Sequence, residues 1–99
     1  MKIKLSSTAE EQLTAGYAFY ERQSEGLGNY FLDSLMADIE SLRIHAGVHA
    51  LFFGGFHRLL AKRFPYSVYY RVEEGFVMIY AVLDNRRNPE WIRNKLSST

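Results

Sequence analysis

The side chains that could do chemistry in this sequence are mostly cations. Arg58, Lys62, Arg63, Arg71, Arg86 and Arg87 cluster in the second half of the chain. A guanidinium is a planar fork of donors that grips phosphate or carboxylate bidentately, so such a cluster suits a polyanion or an acidic peptide. Tyr66, Tyr69, Tyr70, Tyr80 and Trp91 lie among them and offer faces on which bases or guanidinium groups can stack. The other constellations are weaker. His45 and His49 have the four-residue spacing of two zinc ligands on a helix, but no acid lies between them and Gly47 interrupts the helix, so they read as surface histidines. Glu73-Glu74 reads as a solvated turn and Gly54-Gly55 as a flexible one. No serine sits in a nucleophile-elbow pattern. Asp84, directly before Asn85-Arg86-Arg87, reads as the partner of Arg86 or Arg87, shaping a loop after a strand.

Charge sharpens the picture. Net charge is +1, yet residues 1–50 carry a balance of −3 and residues 51–99 one of +4. From Glu40 to Glu73 there is no acid, while Arg43, Arg58, Lys62, Arg63 and Arg71 fall in the gap. That asymmetry suits an acidic partner. The chain has no cysteine, which excludes disulfides and thiolate metal sites and fits a reducing, cytoplasmic home. The N-terminus lacks the apolar core of a signal peptide, and no run approaches the roughly 20 apolar residues of a membrane span.

The elements that must position these groups can be read from periodicity. Ile3 and Leu5 alternate with lysines as in a strand. Ser7 with Glu10 reads as a capping box opening a helix that runs to about Gln23, and Gly26-Leu27-Gly28 ends it. Phe31, Leu35, Ile39 and Leu42 form the buried stripe of a second helix, ending near Gly47 and packed antiparallel on the first. Residues 50–57 read as a loop. Strands are expected over 58–64, stopped by Pro65, over 66–72, and over 76–83, the last in a central position because it is apolar throughout. The hairpin between the last two closes either with three residues and a bulge or with two, and the two options send opposite faces of the last strand inward. Either way Tyr70 and Val72 face the helices, and Tyr69 and Arg71 face outward, with Tyr69 exposed. Asn88 caps a short C-terminal helix with Pro89 at its first position. The expected fold is α+β: an N-terminal strand, an antiparallel helical hairpin, a three-stranded antiparallel sheet and a C-terminal helix, as one domain over residues 1–99.

This order of elements resembles the RelE/ParE toxin superfamily. Phe19-Tyr20-Glu21-Arg22-Gln23 with Gly26-Leu27-Gly28 is similar to its helical hairpin. Arg58, then Lys62-Arg63-Phe64-Pro65-Tyr66 and Val68-Tyr69-Tyr70-Arg71-Val72, is similar to its middle strands; Ala81-Val82-Leu83-Asp84 with Arg86-Arg87, Pro89 and Trp91 is similar to its last strand and tail. The resemblance covers nearly the whole chain. It implies a RelE/ParE-like fold and the toxin of a type II toxin–antitoxin system. Its antitoxin would wrap it with a segment that orders on binding, and the two would form an oligomer.

Two activities follow from the resemblance. RelE-like members cleave mRNA on the ribosome without metal, which here would draw on Arg58, Lys62, Arg63 and Arg86. Trp91 stands where cleaving members carry a tyrosine and cannot exchange that proton, and Lys62 alone stands for their paired lysines. His57 and Glu90 are candidate substitutes. ParE-like members block DNA gyrase by binding and need no catalytic set; the Phe-Tyr-Glu and Phe-Pro-Tyr pieces are closer to that branch. On that reading Arg58, Arg63, Tyr69, Arg71, Arg86, Arg87 and Trp91 bind partners, with no metal or cofactor. The readings ranked below it are the ribonuclease and a non-toxic nucleic-acid-binding or adaptor domain.

Overall fold

The computed structural model describes residues 1–98. Its elements run β1 (Lys2–Leu5), α1 (Ser7–Gln23), α2 (Leu27–Glu40), α3 (Leu42–His45), β2 (Leu51–Phe53), β3 (Phe56–Leu60), β4 (Tyr66–Glu73), β5 (Phe76–Asp84) and α4 (Pro89–Ser97). The five strands form one sheet in the order β1-β5-β4-β3-β2, parallel only where β1 meets β5. The α1–α2 hairpin covers one face and α4 lies on the other.

Several boundaries differ from the sequence reading. The N-cap of α1 is Ser6, one residue earlier, with its hydroxyl accepting from the Ala9 amide at 3.0 Å. Ser6 also donates to the Tyr80 carbonyl at 3.1 Å, so the cap is tied to the sheet. The second helix breaks at Ser41, whose hydroxyl donates to the Asp38 carbonyl. The sheet has five strands, because the expected loop at 50–57 contains β2, a three-residue strand turned by Gly54-Gly55. β3 spans Phe56–Leu60 and not 58–64; residues 61–64 form a bend held by the Lys62 amide donating to Asp38 at 3.1 Å. The last strand is interior, between β1 and β4, while β4 takes the middle of the sheet.

The β4–β5 hairpin closes with the two-residue option: Glu73 pairs with Phe76, and Gly75 takes φ +84°, a left-handed conformation that only glycine adopts cheaply. A bulge lies farther along. Tyr69 pairs with Ala81 but Tyr70 with Ile79, so Tyr80 is the extra residue on β5. It shifts the alternation by one. Val77, Ile79 and Val82 therefore all reach the hairpin core, while Tyr80, Ala81 and Leu83 reach the α4 side. That is why β5 shows no alternation: it is buried on both faces.

The larger core joins Leu13, Phe31, Leu35, Ile39, Val68, Tyr70 and Ile79. Here α1 and α2 approach so closely that a Cβ on Gly16 would lie 2.5 Å from the Phe31 ring. The smaller core, under α4, joins Phe56, Tyr69, Ala81, Leu83, Ile92 and Leu96.

Candidate functional site: a guanidinium-edged sheet face

The β3–β4–β5 register builds the site from cross-strand rows. Arg58 pairs with Tyr69, and Tyr69 with Ala81, on the face turned away from the hairpin; Arg71 lies further along β4 on the same face. Aromatic rings hold the guanidinium groups flat against the sheet. Arg58 lies 4.6 Å from the centre of the Phe52 ring, and Arg93 of α4 shares that ring at 5.9 Å. Arg71 lies 4.0 Å over Phe56 and 5.4 Å from Tyr80, and its Nη2 donates to the Gly54 carbonyl at 2.8 Å. Stacking fixes each group's plane and leaves N–H edges for an anion. Among the described residues no carboxylate forms an ion pair with Arg58, Arg71 or Arg93. Their charge therefore has no ion-pair partner among the described residues.

Tyr69 faces outward as the alternation predicts but is fully buried, correcting the expectation of exposure. Phe52 packs on it at 5.6 Å, and Ile92 and Leu96 of α4 close over it. Burial pushes its phenol pKa up, partly opposed by the nearby Ser67 hydroxyl and Arg58. Neither reaches hydrogen-bond geometry, so the Tyr69 hydroxyl and the Ser67 hydroxyl are both buried without a partner. Tyr70 faces the hairpin core as expected, and Val72 at the strand's end stays partly exposed.

The remaining predicted cations sit elsewhere. Lys62 and Arg63 are exposed on the β3–β4 bend. Arg86 and Arg87 follow β5, and this turn abuts the bend through the Asn85 amide, which donates to the Pro65 carbonyl at 2.9 Å. Asp84 does pair with Arg86, at 3.1 and 2.7 Å through Nε and Nη2. That bidentate hydrogen bonding holds the Asp84 carboxyl below its ordinary range. Arg87 lies 4.4 Å over Trp91. Trp91, Arg87 and Asp84 line a cleft of about 310 Å³ with Phe19 and Gly16 of α1 and Tyr66 of β4. The cations thus divide between a sheet face (Arg58, Arg71) and one end of the sheet (Lys62, Arg63, Arg86, Arg87).

The proton-transfer candidates do not join Arg58's row. The His57 ring stacks on Tyr70 at 5.0 Å, and its Nδ1 donates to the His49 carbonyl at 2.7 Å. Glu90 is exposed at the start of α4. His49, read from the sequence as a surface histidine, is partly buried and lines a second cleft, about 380 Å³, with Arg58, Leu51, Phe52 and Leu60. Tyr70 positions it. The phenol oxygen accepts from the Gly47 amide at 3.1 Å and shares a hydrogen bond with His49 Nδ1 at 2.6 Å. Burial lowers the His49 pKa, with His57 and His45 adding to the effect. No group of three or more His, Cys, Asp or Glu residues suited to a metal ion exists among the described residues, and no helix there is long and apolar enough to cross a membrane.

No protein family matches the sequence, and no curated protein does. A solved structure does: a chain described as "Chromosomal ParDE TA system from P. aeruginosa" superposes with a TM-score of 0.73 at 22% identity, over 83% of this chain and 92% of that one. At this identity the likeness is one of fold, and the fold agrees with the RelE/ParE resemblance in the sequence.

Proposed function

We propose that this chain is the toxin of a type II toxin–antitoxin system, ParE-like, which arrests growth by binding DNA gyrase and is neutralised by a cognate antitoxin in the cytoplasm. The observation that carries this reading is the fold shared with a ParDE chain along most of both chains. The layout of charge supports binding over catalysis. Arg58 and Arg71, with no ion-pair partner among the described residues, offer guanidinium groups on one face, and Arg63, Arg86, Arg87 and Trp91 offer a second contact region at the end of the sheet. Tyr69 joins either surface only if α4 moves aside. An antitoxin segment that folds on binding could cover both regions and be stripped off by proteolysis. On this reading the 99 residues act as one domain without metal or cofactor.

The mRNA-cleaving alternative would need Arg58, Lys62, Arg63 and Arg86 around one phosphate, with a proton donor and acceptor beside them. These four lie in two places, and His57 faces the opposite side of the sheet from Arg58. Expression of the chain alone is expected to arrest bacterial growth, and the purified protein to inhibit supercoiling by gyrase. Normal supercoiling together with ribosome-dependent mRNA cuts would falsify the gyrase reading, and unimpeded growth at high expression would favour a non-toxic adaptor.

A further inference from the structure

The two broad sides of the molecule carry opposite charge. The α1–α2 side exposes Glu10, Glu11, Glu25, Asp33 and Glu40. The other side is basic, and α4 covers only part of it: its buried residues, Ile92 and Leu96, close over Tyr69, Ala81 and Leu83. Beyond them β1, β5 and β4 run side by side. Ile3, Leu5, Val77 and Ile79 point into the core under α1 and α2. By alternation Lys2, Lys4, Phe76 and Met78 stand on the opposite side, with Arg71 directly across from Met78. Phe76 and Met78 are half-buried and belong to neither core, so no helix closes over this part of the sheet. Lys4 pairs with Met78 and Met78 with Arg71, which sets the two cations two strand spacings apart, about 10 Å. Lys4 Nζ lies 4.2 Å from the centre of the Phe76 ring, and the Arg71 guanidinium 4.0 Å over Phe56. Among the described residues no carboxylate forms an ion pair with Lys2, Lys4 or Arg71. Glu73, the one carboxylate that the described strands place on this side, accepts from the Tyr80 hydroxyl at 3.1 Å.

We propose that this open part of the sheet is a docking surface for the backbone of duplex DNA, contacted without regard to sequence. Charge complementarity is the first argument. A duplex carries one charge per about 1.7 Å of its axis, so cations about 10 Å apart each meet a phosphate in many registers. A flat sheet face does not enter a groove, so the base edges go unread. A single strand fits less well, because Phe76 and Phe56 already hold cations over their faces and offer no bare platform to stacking bases. An RNA duplex fits less well too, because its 2′-hydroxyls ask for acceptors as well as donors, and Glu73 is engaged. The acidic α1–α2 side repels the same ligand, which leaves one orientation for binding. The inference does not rest on toxicity: its failure would leave the growth-arrest reading intact, and loss of that reading would leave this surface as it is.

The test uses the full chain and two short labelled DNA duplexes of unrelated sequence, followed by fluorescence anisotropy. Both are expected to bind alike. Raising salt from about 50 to about 200 mM should weaken binding about fortyfold, the loss that accompanies three neutralised phosphates. For Lys4→Gln that loss should shrink to about twelvefold, the value for two. Lys4 is exposed on an edge strand, so an unchanged urea midpoint is expected for this variant. Arg71→Gln should behave as Lys4→Gln does, while Arg71→Lys keeps the charge and should keep the salt dependence. Arg22→Gln removes a charge from α1, on the far side, and should leave affinity within about twofold. No binding in low salt, an Arg22→Gln loss equal to that of Lys4→Gln, or a clear preference for one sequence would overturn the proposal. Tighter binding of a single strand or of an RNA duplex would overturn it in favour of that ligand. Displacement of the DNA by polyglutamate of equal charge would overturn it in favour of an acidic protein.

Discussion

The two faces of the sheet carry aromatic residues of the same kinds but treat their polar atoms differently. On the hairpin face Tyr70 is fully buried, and its hydroxyl is bonded to both Gly47 and His49. On the α4 face its neighbour Tyr69 is equally buried, yet its hydroxyl and that of Ser67 have no partner. A buried unsatisfied hydroxyl costs about 1–3 kcal/mol. The cover over it is slight: α4 buries only Ile92 and Leu96, and an isolated helix of its length is marginal in water. The hairpin face therefore holds the fold together, while the α4 face is held weakly and rimmed by guanidinium groups that have no ion-pair partner among the described residues.

Mutations can break or sharpen that contrast. Phe31→Ala empties the centre of the hairpin core and is expected to cost about 3–5 kcal/mol in urea denaturation. Leu96→Ala, under α4, should fall near the low end of the range for such truncations, about 2 kcal/mol. Equal losses for the two would erase the distinction between the faces. Next comes Gly16→Ala, whose new methyl would lie 2.5 Å from the Phe31 ring; overpacking there should cost about 1–3 kcal/mol. The tyrosines then separate by sign. Tyr70→Phe leaves His49 and the Gly47 amide without their phenol and should lose about 1 kcal/mol, whereas Tyr69→Phe deletes an unpaired hydroxyl and should leave stability unchanged or raise it by up to about 1 kcal/mol. A clear loss on Tyr69→Phe would mean that its hydroxyl is satisfied in solution.

The smallest effect is a pH dependence. The folded state lowers the His49 pKa, so the unfolded chain binds the proton more readily. The stability tied to neutral His49 is complete above the ordinary histidine pKa of about 6.5 and is lost as pH falls through the lower folded value. Denaturation midpoints measured between pH 7 and pH 5 should fall less steeply for His49→Gln than for the native chain.

Much of the framework was legible because local chemistry specifies it. The buried stripe of Phe31, Leu35 and Ile39 on α2, the α1 boundary at Gln23 and the Asn88–Pro89 start of α4 all appear as read, although the helix expected to carry the stripe through Leu42 breaks at Ser41. The Asp84–Arg86 pair was legible too, since only Asn85 separates its members. What was missed depends on distant contacts. β2 is three residues long and becomes a strand only because β3 is there to pair with it. The burial of Tyr69 depends on which face α4 docks against, which no local pattern states. The bulge at Tyr80 is invisible in a segment that is apolar on both sides. His49 reads as a surface residue until Tyr70, on another element, is brought to its ring.

The parallel pairing of β1 with β5 has a consequence in time. Ile3 pairs with Val77, so the first strand waits for the last strand to be made. During synthesis the α1–α2 hairpin can form from local contacts, but it has no sheet to pack on until β5 emerges. Closing so long a loop is entropically late, and chains with such distant pairings fold slowly. The finished sheet face, with Arg58 and Arg71 in register, therefore forms only once β5 has joined the sheet. A chain still lacking β5 does not offer that surface, and whatever binds there meets the assembled sheet.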